Sequence, residues 1–276
     1  MATPSSTYLL KRDQIEAIRL GSRHLLWQLH LKHLLHPEIP TTDGMVIADI
    51  GAGTGLWALE VANQFPSLRV TAFDIAGTHF PSPEFWPSNA KFALLNSLQD
   101  VPSELVGQFD VIHLRMWAFV VRGDDPSPLI QNAAKMLKPG GYLQWEDARF
   151  ESSIVKGDSA ALLRQMMSQM GNAAKINFQW LEELDQRVNR ADANLEVVDF
   201  QKKLWLPQNI PLCMNTFLIA LENSGAILDK LKQVDPSVPS TKEWMDALET
   251  LQKDSCKPEG SQLYWPPVTL LARKNT

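Results

Sequence analysis

Nine residues constrain this chain more than any others: Ile47-Ala48-Asp49-Ile50-Gly51-Ala52-Gly53-Thr54-Gly55. A short apolar run beginning at Met45 enters three alternating glycines, and an apolar stretch from Leu56 to Phe65 follows before Pro66 stops it. Glycine tolerates positive φ and places no Cβ between backbone and ligand. A buried strand that ends in such a loop and opens a helix belongs at the carboxyl edge of an open parallel sheet, where ligands bind. The spacing narrows the ligand. In the dinucleotide fingerprint Gly-x-Gly-x-x-Gly the third glycine falls where this chain has Leu56. No Lys-Ser/Thr pair follows, so the loop is not a P-loop. A second strand, Leu68 to Ile75, carries Asp74 near its end, and a carboxylate there can accept the hydroxyl hydrogens of a ribose. A nucleoside ligand without a pyrophosphate fits better than a dinucleotide.

The pattern around the loop alternates. Ala90 to Leu95, Phe109 to Leu114 and Tyr142 to Glu146 form further strands; Pro128 to Leu137 forms a helix closed by the turn Lys138-Pro139-Gly140-Gly141. Strands alternating with helices imply crossovers and a parallel sheet covered on both faces. Residues 8 to 36 form a helix whose apolar stripe is Ile15, Ile18, Ser22, Leu25 and Leu29, stopped by Pro37 and Pro40. Beyond the fifth strand, Ser159 to Asn189 is mostly helical, Leu195 to Leu206 is a strand, 212 to 255 is helical, and Ser261 to Lys274 is a last strand.

Composition supplies the exclusions. A chain of 276 residues, 45% hydrophobic and 21% charged, is an ordinary globular protein rather than a disordered one. Its net charge of −5 gives no basic footprint for nucleic acid. No run reaches the roughly 20 apolar residues of a membrane span, and no apolar signal core leads the chain. Cys213 and Cys256 are expected as free thiols in a reducing compartment, so the expected location is cytoplasmic, with neither membrane nor nucleic-acid partner. His24, His30, His33 and His36 crowd one stretch without ligand spacing, and no metal site is expected.

Together these motifs resemble the class I S-adenosylmethionine-dependent methyltransferases: the acid and glycines at 49 to 55, the second-strand acid Asp74, and Leu137-Lys138-Pro139-Gly140-Gly141. Tyr8-Leu9-Leu10-Lys11-Arg12-Asp13, Glu16-x-x-Arg19-Leu20, His24, the loop through Leu56-Trp57, His113-Leu114-Arg115 and Gly140 through Trp145 are similar to the fungal LaeA-like branch. Many of its members tailor natural products and some act in regulation. The resemblance spans about residues 8 to 147.

It implies a Rossmann-like α/β fold, with a seven-stranded, mostly parallel sheet and an antiparallel last strand. A helical segment over 1–40 precedes a methyltransferase domain over 41–276, with helical lid insertions at about 158–190 and 210–256. It implies S-adenosylmethionine as cofactor and methyl transfer to a small natural-product acceptor, apolar or aromatic, with O-methylation ahead of N-methylation. Two rivals stand beside that reading: a regulatory protein acting through protein partners, and an enzyme that keeps the cofactor for a dehydration or ring closure.

The resemblance also places residues. Gly51, Gly53 and Gly55 line the cofactor; Asp49 fixes the loop and the amino-acid end; Asp74 takes the ribose; Asn96 and Ser97 meet the adenine edge; Tyr8 and Arg12 close over it. Arg115 faces the transferring methyl or the methionine carboxylate, unless it forms a salt bridge to Asp110 or a helix acid. His24 is the candidate base or hydrogen-bond donor toward the acceptor. His113 is the packed imidazole of a strand, and His79 fits either role. Two departures from the branch are Arg23 before His24, where Gln is frequent, and Asn96, where the general class often has an acid. Met166, Met167, Met170, Phe178, Trp180, Met214, Phe217, Trp244 and Met245 are core residues or the apolar wall of an acceptor pocket.

Overall fold

The computed structural model of the protein describes residues 13–276. The chain begins with α1 (Gln14–Leu31) and continues through β1 (Val46–Ile50), α2 (Leu56–Gln64), β2 (Arg69–Asp74), β3 (Ala90–Leu94), β4 (Phe109–Arg115), α3 (Ser127–Met136) and β5 (Leu137–Ala148). Its second half runs through β6 (Ile154–Lys156), α4 (Asp158–Ala173), α5 (Leu184–Arg190), β7 (Leu195–Lys202), α6 (Ile210–Ser224), α7 (Leu228–Val234), α8 (Thr241–Ser255), β8 (Gln262–Tyr264) and β9 (Pro267–Lys274).

Seven strands form one sheet in the order β3-β2-β1-β4-β5-β9-β7. The pairs β2–β3, β1–β2, β1–β4 and β4–β5 are parallel, while β9 runs antiparallel to both β5 and β7. The sheet therefore has the expected mixed form, with the last strand inserted between β5 and β7. The strand order reverses beside β1, where chain segments leave in opposite directions and open a crevice at the carboxyl ends.

Alternation along the strands sorts residues onto two faces. Ala48, Ile50, Ile112, Leu114, Leu143 and Trp145 belong to the larger core, while Ile47, Val70, Ala72 and Val111 pack with Trp57, Ala58 and Val61 of α2. Gly55 opens α2 at φ +72, and a Cβ there would lie 2.2 Å from Phe92 Cε1. We expect Gly55→Ala to cost about 2–4 kcal/mol in chemical denaturation, from left-handed strain plus overpacking. A loss under about 0.5 kcal/mol would show that Phe92 moves aside freely.

The first helix departs most from its sequence pattern. Asp13 caps it by accepting from the Glu16 N–H, and it ends at Leu31 with Lys32 left-handed, not at residue 36. Its apolar stripe faces outward: Ile15, Ile18, Leu25 and Leu29 are all exposed. The buried face instead carries Glu16, Arg19, His24, Leu26 and Trp27. Glu16 and Arg19 neutralise each other (2.8 and 2.5 Å) and Asn223 of α6 donates to Glu16. Trp27 packs edge-on to Trp205 and beside Trp265, with ring centroids 5.3 and 6.0 Å away. Paired charges and a tryptophan cluster thus bury the face that periodicity treats as polar.

Smaller differences follow from chain length. The Lys138–Gly141 turn is absorbed into β5 as an irregular start, with a register shift between Phe109 and Val111. The predicted last strand breaks at Trp265-Pro266 into β8 and β9, and the three-residue strands β6 and β8 pair as a separate ribbon too short for alternation to reveal. The predicted helix 159–189 divides into α4 and α5, and β7 ends at Lys202 rather than at Leu206. Met167, Met170, Trp180, Met214, Phe217 and Trp244 are buried in the main core, with Met166 and Phe178 packed against it and Met245 36% exposed.

Candidate active site

A cavity of about 940 Å³ opens at the carboxyl ends of β1, β2, β3 and β4. Gly51, Gly53 and Thr54 form its floor, Asp74 ends β2 with His79 beyond it, Asn96 and Ser97 follow β3, and Arg115 ends β4 with Met116, Trp117, Phe119 and Val120 beyond it. α1 closes it from above with Glu16, Leu20, Arg23 and His24. None of its described lining residues comes from α4–α8. Most sequence-predicted site residues thus converge here. Gly55 does not: its missing Cβ faces Phe92, so the third glycine serves the α2 junction. Tyr8 and Arg12, expected either to close over the cofactor or simply to pack, lie outside the described residues.

The glycines do two jobs. Gly51 (φ +75) lies under the Trp117 indole, where a Cβ would come within 2.9 Å of the ring. Gly53 (φ +58) presents bare backbone to the cavity opposite Leu20. Asp74 accepts from the Gly53 N–H at 2.9 Å and from the Ala76 N–H at 3.1 Å, so this acid shapes the loop. Trp117 is held by its N–H on Asp147 (2.8 Å) and its indole N–H on the Ile50 carbonyl (3.2 Å).

Beneath the cavity, β1, β4 and β5 bring a line of charges onto one face. Asp49 pairs in register with His113, and Arg115 with Glu146. His113 Nδ1 is 2.7 Å from Asp49 and its Nε2 is 3.5 Å from Glu146, while Trp57 stacks on the imidazole at 3.7 Å. Burial opposes charge on His113, but its hydrogen bonds to Asp49 and Glu146 raise its pKa overall. Burial likewise opposes charge on Glu146, but Arg115 and then His113 hold its carboxyl down at about 2. The result is an alternating row, Asp49–His113–Glu146–Arg115, in which the imidazole lies between two acids. His113 is therefore buried, as expected of a strand residue, but hydrogen-bonded between two acids rather than packed among apolar groups alone. Arg115 pairs with Glu146 rather than with Asp110, which holds Lys138 and the Val46 N–H instead.

Arg115 also reaches His24 Nδ1 at 3.0 Å, and His24 Nε2 lies 2.8 Å from Glu60. Burial, then Arg115, lowers the His24 pKa. Both ring nitrogens are thus engaged, and His24 could take a proton only if the Arg115 contact opened. Among the described residues the His79 Nε2 has no hydrogen-bond partner. Glu60 and Trp117 were missed by sequence reasoning as site residues, and so was Glu146 as the partner of Arg115. Glu146 had a signal: polar residues at alternate positions of apolar strands, 113 and 115 beside 144 and 146. Among the described residues, no cluster of three or more His, Cys, Asp or Glu is placed to hold a metal ion. No single described helix is long and apolar enough to cross a membrane.

This strand order, with a glycine loop, an acid at the end of β2 and a cavity at the switch point, defines the class I methyltransferase fold. The chain belongs to the methyltransferase domain family, whose pattern matches residues 24–199. It is 32% identical over 156 residues to the methyltransferase grgD of Penicillium sp, covering 53% of this chain and 54% of that protein. It is 32% identical over 145 residues to the N-methyltransferase sirN of Leptosphaeria maculans, covering 51% and 49%. The chain spans about half the length of these curated relatives. Among solved structures, the [4+2]-cyclase SpnF superposes with a TM-score of 0.53 at 17% identity, covering 95% of this chain and 82% of that one. S-adenosylmethionine is the cofactor of this family, and the residues present fit it: bare glycine backbone, an acceptor-only carboxylate at Asp74, and polar Asn96 and Ser97 at the far end.

Proposed function

We propose that this protein binds S-adenosylmethionine in the 940 Å³ cavity and transfers its methyl group to a small natural-product acceptor. The observation that carries this reading is the convergence of the glycine loop, Asp74, Asn96–Ser97 and Arg115 on one cavity wall. When bound, the cofactor supplies a methyl group on a sulfonium, a good leaving group. This chain's residues bind and orient. Gly51 and Gly53 admit the amino-acid portion to bare backbone, with Asp49 fixing the strand end below. Asp74 accepts from ribose hydroxyls, and Asn96 and Ser97 meet the adenine edge.

Methyl transfer is an in-line displacement, so alignment is the main lever. Arg115 provides it. Its Nε and one terminal nitrogen engage Glu146, and its other terminal nitrogen engages His24. Each terminal nitrogen carries a second N–H. An oxyanion suits those donors, which favours oxygen over nitrogen as the acceptor atom; the N-methyltransferase name of sirN keeps nitrogen as the competitor. Met116, Trp117, Phe119 and Val120 give that end an apolar wall, which suits an apolar or aromatic acceptor. α1 covers the cleft and excludes water. The full domain reading, a helical segment over 1–40 and a methyltransferase unit over 41–276 with helical insertions, goes with this proposal.

A second reading, dehydration or ring closure beside a retained cofactor, is favoured by the engagement of both His24 nitrogens, since such a step needs no base at that position. Labelled methyl transferred from cofactor to extract metabolites supports the first reading, and turnover without label transfer supports the second. In calorimetry, Asp74→Ala should weaken S-adenosylhomocysteine about tenfold or more, since hydrogen bonds to a charged group contribute about 1.5–3 kcal/mol. Unchanged affinity would remove Asp74 from the ribose site.

A further inference from the structure

Glu60 ends the row of charges, outside the cavity lining, and touches it through His24. It sits on α2 with its side chain 39% exposed, outside His24 at 10%. We propose that Glu60 is a positioning residue, fixing the tautomer of His24 and, through it, the aim of Arg115. The proposal rests on the reading that Arg115 meets the cofactor or acceptor.

A guanidinium has donors only. His24 Nδ1, 3.0 Å from Arg115, must therefore offer its lone pair. A neutral imidazole with a lone pair on Nδ1 carries its hydrogen on Nε2. Glu60 accepts that hydrogen at 2.8 Å. The other tautomer would turn Nδ1–H toward the guanidinium and the Nε2 lone pair toward the carboxylate, so both contacts would become repulsive. An imidazolium would still clash with Arg115, in keeping with the lowered pKa of His24.

Gln28 of α1 also donates to the same Glu60 oxygen and holds it across the α1–α2 junction. Arg115 is thus gripped by Glu146 on one edge and His24 on the other, with the Trp27 ring 5.7 Å away. Without Glu60 the tautomer preference rests on the Arg115 contact alone, and the ring loses its anchor on the Nε2 side. The terminal N–H groups then lose one of their two fixed directions.

Nitrogen-15 histidine spectra and S-adenosylhomocysteine calorimetry test this on the whole chain. In wild type, His24 should be the neutral Nε2–H tautomer at pH 7.5. Glu60→Ala should populate both tautomers and weaken binding about threefold to tenfold. Glu60→Gln, whose amide oxygen still accepts from Nε2–H, should restore the tautomer and bind within about twofold of wild type. Arg115→Lys keeps a cation beside Glu146 but lacks the planar fork. In that background Glu60→Ala should change affinity by less than about twofold, since the pair act in one network. Wild-type tautomer and affinity in Glu60→Ala overturn the proposal, as does an equal loss with and without the Arg115 fork. Failure of the wild-type chain to bind S-adenosylhomocysteine overturns the cofactor reading instead. The His24 tautomer in Glu60→Ala then still decides the role of Glu60.

Discussion

Glu146→Ala should cost about 3–5 kcal/mol of folding stability, the range for breaking one partner out of a buried ion pair. The side chain is 2% exposed and touches both Arg115 and His113. Its removal leaves the buried Arg115 guanidinium without its carboxylate partner, and Gln144 loses the oxygen it donates to at 2.7 Å. Urea midpoints measure the loss. The pH dependence gives a second signature. Glu146 titrates at about 2 in the folded chain against an ordinary 4.5. A depressed carboxyl stabilises fully above its unfolded value and loses that contribution as pH falls through the folded value. The gap between wild type and variant should therefore shrink between pH 4.5 and about 2, by about 3 kcal/mol at 1.36 kcal/mol per unit. A constant gap across that window would show that the loss is packing rather than charge.

Gly53→Val should abolish cofactor binding. A Cβ at Gly53 lies 3.3 Å from Leu20 Cδ1, in the space between loop and α1. A branched side chain there fills the surface proposed for the amino-acid portion. Calorimetry with S-adenosylhomocysteine should show at least about a hundredfold loss, about 2.8 kcal/mol. Backbone strain at φ +58 adds a folding cost of about 1–2 kcal/mol. Gly107→Val separates the two effects, since Gly107 has φ +64 and its Cβ would meet nothing within 4 Å. That variant should lose similar stability and bind normally. Full binding by Gly53→Val would move the cofactor off this loop.

The sequence by itself determined the sheet and the floor of the site. The strand entering Gly51, the alternation through Trp145 and the acid at Asp74 are local signals, because strand and turn chemistry depend on near neighbours in the chain. They placed β1 to β5 within a few residues, apart from the start of β5, and put the glycine loop where the cavity opens. Only the tertiary structure decided the rest. His113, Arg115 and Glu146, with Gln144 donating to Glu146, become one polar row through the parallel register of β4 and β5, and Asp49 joins through β1; no spacing within one segment encodes that register. Gly55 belongs to a helix junction because Phe92, from another strand, occupies the space beside it. α1 shows the limit most clearly. Its apolar stripe pointed one way, yet Glu16, Arg19 and His24 are buried because each finds a partner, on the helix itself or on α2, α6 and β4. Burying a charge is unfavourable until its partner is known, and most of those partners are distant in the chain.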